Sequence, residues 1–158
     1  MQSDPKVIEL LNAELKNELT AVHQYLHHAR LYKHWGLEEL GAHEYAESMD
    51  ELTHADRLIE RILMLDGEPN LQDLHPLNIG RHTLDALKND LALERAAQSQ
   101  CKSGIGYCES VRDFVSRQLL VELLDATEEH IDWLEIQIGL IDKLGIANYQ
   151  QSAASKPV

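Results

Sequence analysis

The feature that most constrains this chain is where its helix breakers fall. Residues 67–82 hold Gly67, Pro69, Pro76 and Gly80, whereas long stretches on either side contain few glycines and, apart from Pro5 and Pro157, no proline. Gly and Pro mark the turns of a helix-rich sequence. Ser3, Asp4 and Pro5 read as a helix start, with a capping side chain just before a Pro in the first turn. The first helix is expected to run to about Trp35, the Gly36–Gly41 region to turn, and a second helix to continue to about Asp66. After the 67–82 connection, Thr83 is expected to cap a third helix that Gly104 and Gly106 weaken without ending. A turn near Ser110–Asp113 starts a fourth, running to about Gly139 or Lys143, and a short fifth covers Ile146–Gln151. The tail, residues 152–158, reads as loose. No stretch shows the alternation of a strand.

Short turn, long crossover, short turn gives two antiparallel hairpins joined by one long connection. That pattern predicts an all-α chain with the ferritin-like form of the four-helix bundle, plus a short C-terminal helix. At 158 residues it is expected to be one domain, residues 1–158, large enough to bury a core without crosslinks. The net charge of −13 argues against a nucleic-acid groove or an acidic membrane surface, and suits a protein that gathers cations. The longest apolar run, Ile62–Leu65, is too short to span a bilayer. MQSDPKVIEL lacks a charged leader and an apolar h-region, so a cytoplasmic location is expected. Cys101 and Cys108 form no CxxC and, on one helix, lie about 10 Å apart. They read as two thiols in a reducing compartment.

Each helix carries an apolar stripe at steps of three and four, and each stripe is interrupted by polar residues. Helix one gives Val7, Leu11, Leu15, Glu18, Val22, Tyr25 and Ala29; helix two gives Glu44, Glu47, Glu51, His54, Leu58, Ile62 and Leu65. Helix three gives Leu84, Leu87, Leu91, Glu94, Ala97 and Cys101; helix four gives Leu120, Leu123, Thr127, His130, Leu134 and Ile141. A buried carboxylate needs a partner or a cation.

Counting from the turns shows that these residues meet. Glu18 lies 18 residues before Gly36 and His54 lies 18 after; Glu94 lies 18 before Arg112 and His130 lies 18 after. Antiparallel helices of equal rise bring such pairs to one level. The hairpins also match each other at an offset of 76, which relates Glu18 to Glu94, His54 to His130 and Glu51 to position 127. One carboxylate from each of two helices, plus Glu-x-x-His from the other two, is the arrangement of di-iron carboxylate bundles. Glu51-Leu52-Thr53-His54 fits, but the second motif reads Thr127-Glu128-Glu129-His130. Glu128 lies about 100° around the helix from position 127 and does not simply substitute for it.

On Glu18, Tyr25, the stretch LGAHEYAESMDELTHADRLIERIL, the loop PNLQDL and the stretch EEHIDWLE, the chain resembles the bacterioferritins over about residues 1–151. The resemblance implies a hollow cage of 24 subunits that oxidises Fe(II) with dioxygen or peroxide and stores a ferric mineral. It implies that Glu18 and His54 hold one iron, Glu94 and His130 the other, and Glu51 bridges them. Tyr25, Trp35 and Trp133 match aromatic positions associated with electron movement, although core packing accounts for each singly. A ferredoxin-type reductant for iron release is a further implied partner.

Two departures stand out. The family's second bridging Glu is Thr127 here, and the methionine that ligates haem b is Leu52. Thioether ligation requires sulfur, which leaves haem b in doubt; Met49, one turn away, reads better as interface packing. An inner-surface His of some members is Ala46, with Asp50 beside it. A diferrous pair carries four positive charges, and only three carboxylates face it. Iron binding is therefore expected to be asymmetric and strongest on the Glu18/Glu51/His54 side, with ferroxidase activity weakened. The alternative is a structural cage subunit that co-assembles with a fully liganded, haem-binding partner. A rubrerythrin- or oxygenase-type oxidase lacks its expected CxxC module here, and the intrasubunit residue set disfavours a DNA-protecting mini-ferritin.

Overall fold

The computed structural model describes residues 1–154. It contains α1 (Pro5–His34), α2 (Glu38–Met64), α3 (Thr83–Ser110), α4 (Phe114–Leu144) and α5 (Ile146–Ala153), with no strand among the described residues. The helices α1 and α2 form one antiparallel hairpin, α3 and α4 the other, and residues 65–82 make the crossover. This is the ferritin-like four-helix bundle with its short terminal helix.

Local chemistry sets the ends. Asp4 caps α1 by accepting from the Lys6 backbone N–H at 2.8 Å, ahead of Pro5 in the first turn. Gly36, at φ 86°, turns the first hairpin in the left-handed region that glycine occupies readily. Asp113 caps α4 through the Ser116 N–H at 3.0 Å, and Arg61 from the end of α2 donates to Asp113 at 3.0 Å and to Ser116 Oγ at 2.9 Å. This group ties the end of the first hairpin to the turn of the second.

Three expectations need correction. The N-cap of α3 is His82; Thr83 is the first helical residue, and no side-chain capping bond forms there. The fifth helix extends to Ala153, so Ser152 and Ala153 are helical rather than loose, because Ala153 packs into the apolar cluster of the α5 end. The remainder of the expected tail, residues 155–158, lies outside the described residues. Val22 is only half-buried, although Glu18 and Tyr25 on either side of it in the stripe are buried.

The core is split. One apolar cluster, with Val7, Leu11, Leu15, Leu58, Ile62, Leu120 and Leu123, fills the crossover end of α2. The other, with Tyr32, Leu40, Leu87, Leu91, Leu134 and Tyr149, fills the opposite end around α5. Each buried Leu in these clusters stabilises the fold by about 1.5–3 kcal/mol. Polar residues occupy the layer between them. Crossover atoms are built into this packing. Gly80 lies against α3 so closely that a Cβ would sit 2.3 Å from the Ala86 nitrogen.

Candidate metal centre

Every helix of the bundle contributes to the polar layer. Glu18 comes from α1, Glu51 and His54 from α2, Glu94 from α3, and His130 from α4. The level matching of the two hairpins thus appears in three dimensions. His54 Nδ1 lies 3.6 Å from both Glu18 Oε2 and Glu51 Oε2. On the other side, His130 Nδ1 lies 2.9 Å from Glu94 Oε1, which also accepts from the Tyr25 hydroxyl at 2.5 Å. The Tyr25 and His130 rings meet edge to face at 5.2 Å.

Two overlapping groups could each hold a cation. Ligating atoms of Glu18, Glu51 and His54 lie within 4.8 Å of one another, and so do those of Glu47, Glu51 and His130. Glu51 belongs to both groups. Thr127 is buried one turn before His130. Glu128 faces outward and accepts from Gln98 at 2.8 Å, as the helical geometry required. Glu18 Oε2 and His130 Nε2 are buried without a hydrogen-bond partner among the described residues. An orphan carboxylate oxygen is costly in a core, and a cation between Glu18, Glu51 and His54 would satisfy it. An oxygen-rich donor set with one imidazole on each side suits iron, so these residues fit that ion.

Burial drives the electrostatics. Burial and the neighbouring Glu51 hold Glu18 well above the usual carboxyl range. Burial, with the Glu51 charge, likewise pushes Glu94 up to about 7, against the opposing bonds from His130 and Tyr25. For Glu51 the same desolvation is outweighed by the neighbouring Glu18 carboxyl and His54 imidazole, and its pKa falls. Burial disfavours the charged form of His130, yet its bond to Glu94 and the charges of Glu94, Glu47 and Glu51 raise it to about 9. His54 is raised for the same reason, with Glu51 as its chief partner. Carboxyls that hold protons and imidazoles that gain them mark a site with excess negative charge, which a bound cation would offset.

A cavity of about 320 Å³ reaches Glu51, His54 and His130 from outside, past Glu47, Asp50 and Glu129. Its acidic mouth favours cations. Trp133 lines it, stacked on His43 at 3.8 Å, and desolvation lowers His43 to about 4, so that imidazole is neutral at neutral pH. Trp35 sits apart from the polar layer, against Tyr32 at 6.0 Å.

Leu52 is 48% exposed on the outer face of α2 and ends in hydrocarbon. It offers no axial ligand, so this position does not fit a haem. Met49 is half-buried one turn earlier.

Sequence reasoning missed a second buried polar group. His28 Nδ1 lies 2.8 Å from Asp90 Oδ1, which also accepts from Gln24 at 2.8 Å. The Gly80 N–H donates to His28 Nε2 at 2.9 Å, and the Asn78 N–H to Gln24 Oε1 at 3.0 Å. Both His28 nitrogens are thereby used, and the group reads as a fastening of the crossover to the bundle. Glu44 lies beside it, and burial followed by the Asp90 charge raises its pKa well above the usual range. The i, i+4 spacing of Gln24 and His28 was a signal, but their partners lie on the crossover and α3.

The comparisons agree with this geometry. The ferritin-like domain description matches residues 8–144. The chain is 44% identical to the bacterioferritin of Mycobacterium bovis over 99% of both chains. It is 46% identical to that of Rhodobacter capsulatus over 92% of this chain and 90% of the relative. It is 44% identical to that of Brucella melitensis over 98% and 96%. The fold and the centre define a ferritin-like carboxylate bundle. Within that class, the chain belongs to the bacterioferritin family.

Proposed function

We propose that this chain is an iron-storage subunit that oxidises Fe(II) at an intrasubunit di-iron centre and passes Fe(III) to the interior of a cage. The observation that carries the reading is the polar layer itself: Glu18, Glu51, His54, Glu94 and His130 converge from four helices between two apolar clusters, with Glu51 common to both halves. Family membership supports iron storage.

Fe(II) is the substrate. It enters through the acidic cavity beside Asp50 and Glu47. Glu18 and His54 hold one ion, Glu94 and His130 the other, and Glu51 spans them. Each Fe(II) gives up one electron; with two protons, dioxygen becomes hydrogen peroxide, or peroxide becomes two waters. The carboxyls of Glu18 and Glu94 release their protons as the ions bind, because cations replace the protons as counter-charge. Tyr25 orients Glu94 through its hydroxyl and stands close enough to the centre to share in electron movement.

Residues 1–158 act as one ferritin-like domain in a cytoplasmic cage of 24 subunits, homomeric or mixed with another bacterioferritin subunit. The exposed apolar side chains Leu26 and Leu52 support burial between subunits. A ferredoxin-type protein is the proposed reductant for release, and haem b is not expected in a homomeric cage. The net charge of −13 disfavours nucleic acid and acidic membrane surfaces as partners. Among the described residues no helix is long and apolar enough to cross a membrane.

Thr127 and Leu52 favour a second reading, a structural subunit that assembles with a fully liganded, haem-binding partner. Aerobic Fe(II) oxidation by the homomeric cage separates the two. A rate well above that of protein-free buffer is expected, and a rate equal to buffer would leave only the structural role.

A further inference from the structure

The missing carboxylate at position 127 poses a charge problem that the geometry of α2 resolves. We propose that Glu47 completes the His130 half of the centre, taking the place that the 76-residue repeat assigns to position 127. The inference rests on the di-iron reading above and names a ligand for it.

Glu47 lies four residues before Glu51 on α2, so both carboxylates project from one face, one turn apart. Glu47 Oε2 comes within 3.7 Å of His130 Nδ1, reaching across from the opposite hairpin. That separation is too long for a hydrogen bond. It suits two ligands of one ion, since two atoms each about 2.1 Å from a divalent metal lie at most about 4.2 Å apart. His43 Nε2 is 3.8 Å from the other Glu47 oxygen, also beyond hydrogen-bond length. Glu47 is therefore not committed to a strong partner on that side. His130 Nδ1 also lies 2.9 Å from Glu94 Oε1, so one ring nitrogen faces both carboxylates, and ligating atoms of Glu47, Glu51 and His130 lie within 4.8 Å of one another.

The repeat gives an independent reason. The counterpart of Glu47 in the second hairpin, 76 residues on, is Leu123, fully buried in an apolar cluster. The acid is thus present in one hairpin only, and that hairpin faces the half lacking its own. Glu18, Glu47, Glu51 and Glu94 together supply four negative charges, equal to the charge of two Fe(II) ions. Thr127 offers only a neutral hydroxyl.

The test uses Co(II), whose visible spectrum reports ligand number, titrated without oxygen into the assembled protein. The unmodified protein is expected to bind two Co(II) per subunit at this layer. Glu47→Gln should keep one and bind the second at least about tenfold more weakly. Glu47→Gln combined with Thr127→Glu should restore the second. Glu128→Gln, which alters an exposed acid off the site, should bind both as before. Anomalous scattering from Zn(II)-soaked crystals should place a Glu47 oxygen within about 2.2 Å of the ion on His130. Two equally tight ions in Glu47→Gln, or a single ion in the unmodified protein, would overturn the role of Glu47 and leave the ferroxidase reading standing. No ion bound by the unmodified protein would overturn both.

Discussion

The two halves of the centre are built from the same repeat but held differently. In the first, His54 stands 3.6 Å from each of two carboxylates, both from its own hairpin, and is partly open to the cavity. In the second, His130 is 3% exposed and bonded at 2.9 Å to Glu94, and its next carboxylate, Glu47, comes from the other hairpin. The repeat accounts for the likeness. On the proposal above, the difference means that a buried constellation that loses one acid can draw another from a neighbouring turn.

The largest effect should come from the residue common to both halves. Glu51→Ala is expected to slow Fe(II) oxidation at least about a hundredfold, measured by stopped-flow absorbance, because it removes a ligand from each ion. A smaller loss would mean that the halves work independently. Next is position 127. Thr127→Glu in an otherwise unmodified chain should tighten the second ion less than it does beside Glu47→Gln, because two acids would then compete for one place; equal gains in both backgrounds would separate the two positions. Tyr25→Phe is smaller still. It removes one donor to Glu94 while His130 remains, so stability should fall by about 1 kcal/mol and oxidation should slow only a few-fold. An unchanged rate and stability would make Tyr25 packing alone.

Titration sharpens the comparison further. Glu94 and the nearby buried Glu14 release their protons at about 7 and about 8 in the folded chain, against 4.5 for a free glutamate. Their contribution is fully present below 4.5 and is lost as pH rises through those values. His130, raised from 6.5 to about 9, loses its contribution in the same direction at higher pH. The metal-free protein should therefore melt at lower temperature near pH 8 than near pH 5, and a divalent metal should restore more at the higher pH. A metal-free midpoint that rises over this range would contradict the charge account.

Much of this was legible in the sequence. The breaker pattern fixed two hairpins and a crossover, and level counting from Gly36 and Arg112 brought Glu18, His54, Glu94 and His130 together. Periodicity sufficed because each of these residues lies on a long helix whose rise is constant. The approach of Glu47 to His130 was not legible, since it depends on how two non-consecutive helices cross and on side-chain reach. The fastening of His28, Gln24 and Asp90 was hidden for a related reason. Its partners, the backbone N–H groups of Gly80 and Asn78, sit on a crossover whose path no periodicity describes. The helix ends were read to within a few residues, and Thr83 was misplaced because a cap is defined by backbone angles that residue type only suggests.

The central claim is that one layer of this subunit holds two irons with Glu51 between them. Crystals of the assembled protein soaked with Fe(II) under anaerobic conditions and measured at the iron absorption edge test it directly. The account predicts two anomalous peaks per subunit, one beside Glu18 and His54 and one beside Glu94 and His130, with Glu51 reaching both. Iron found only at the cage surface, with the polar layer empty, would contradict it.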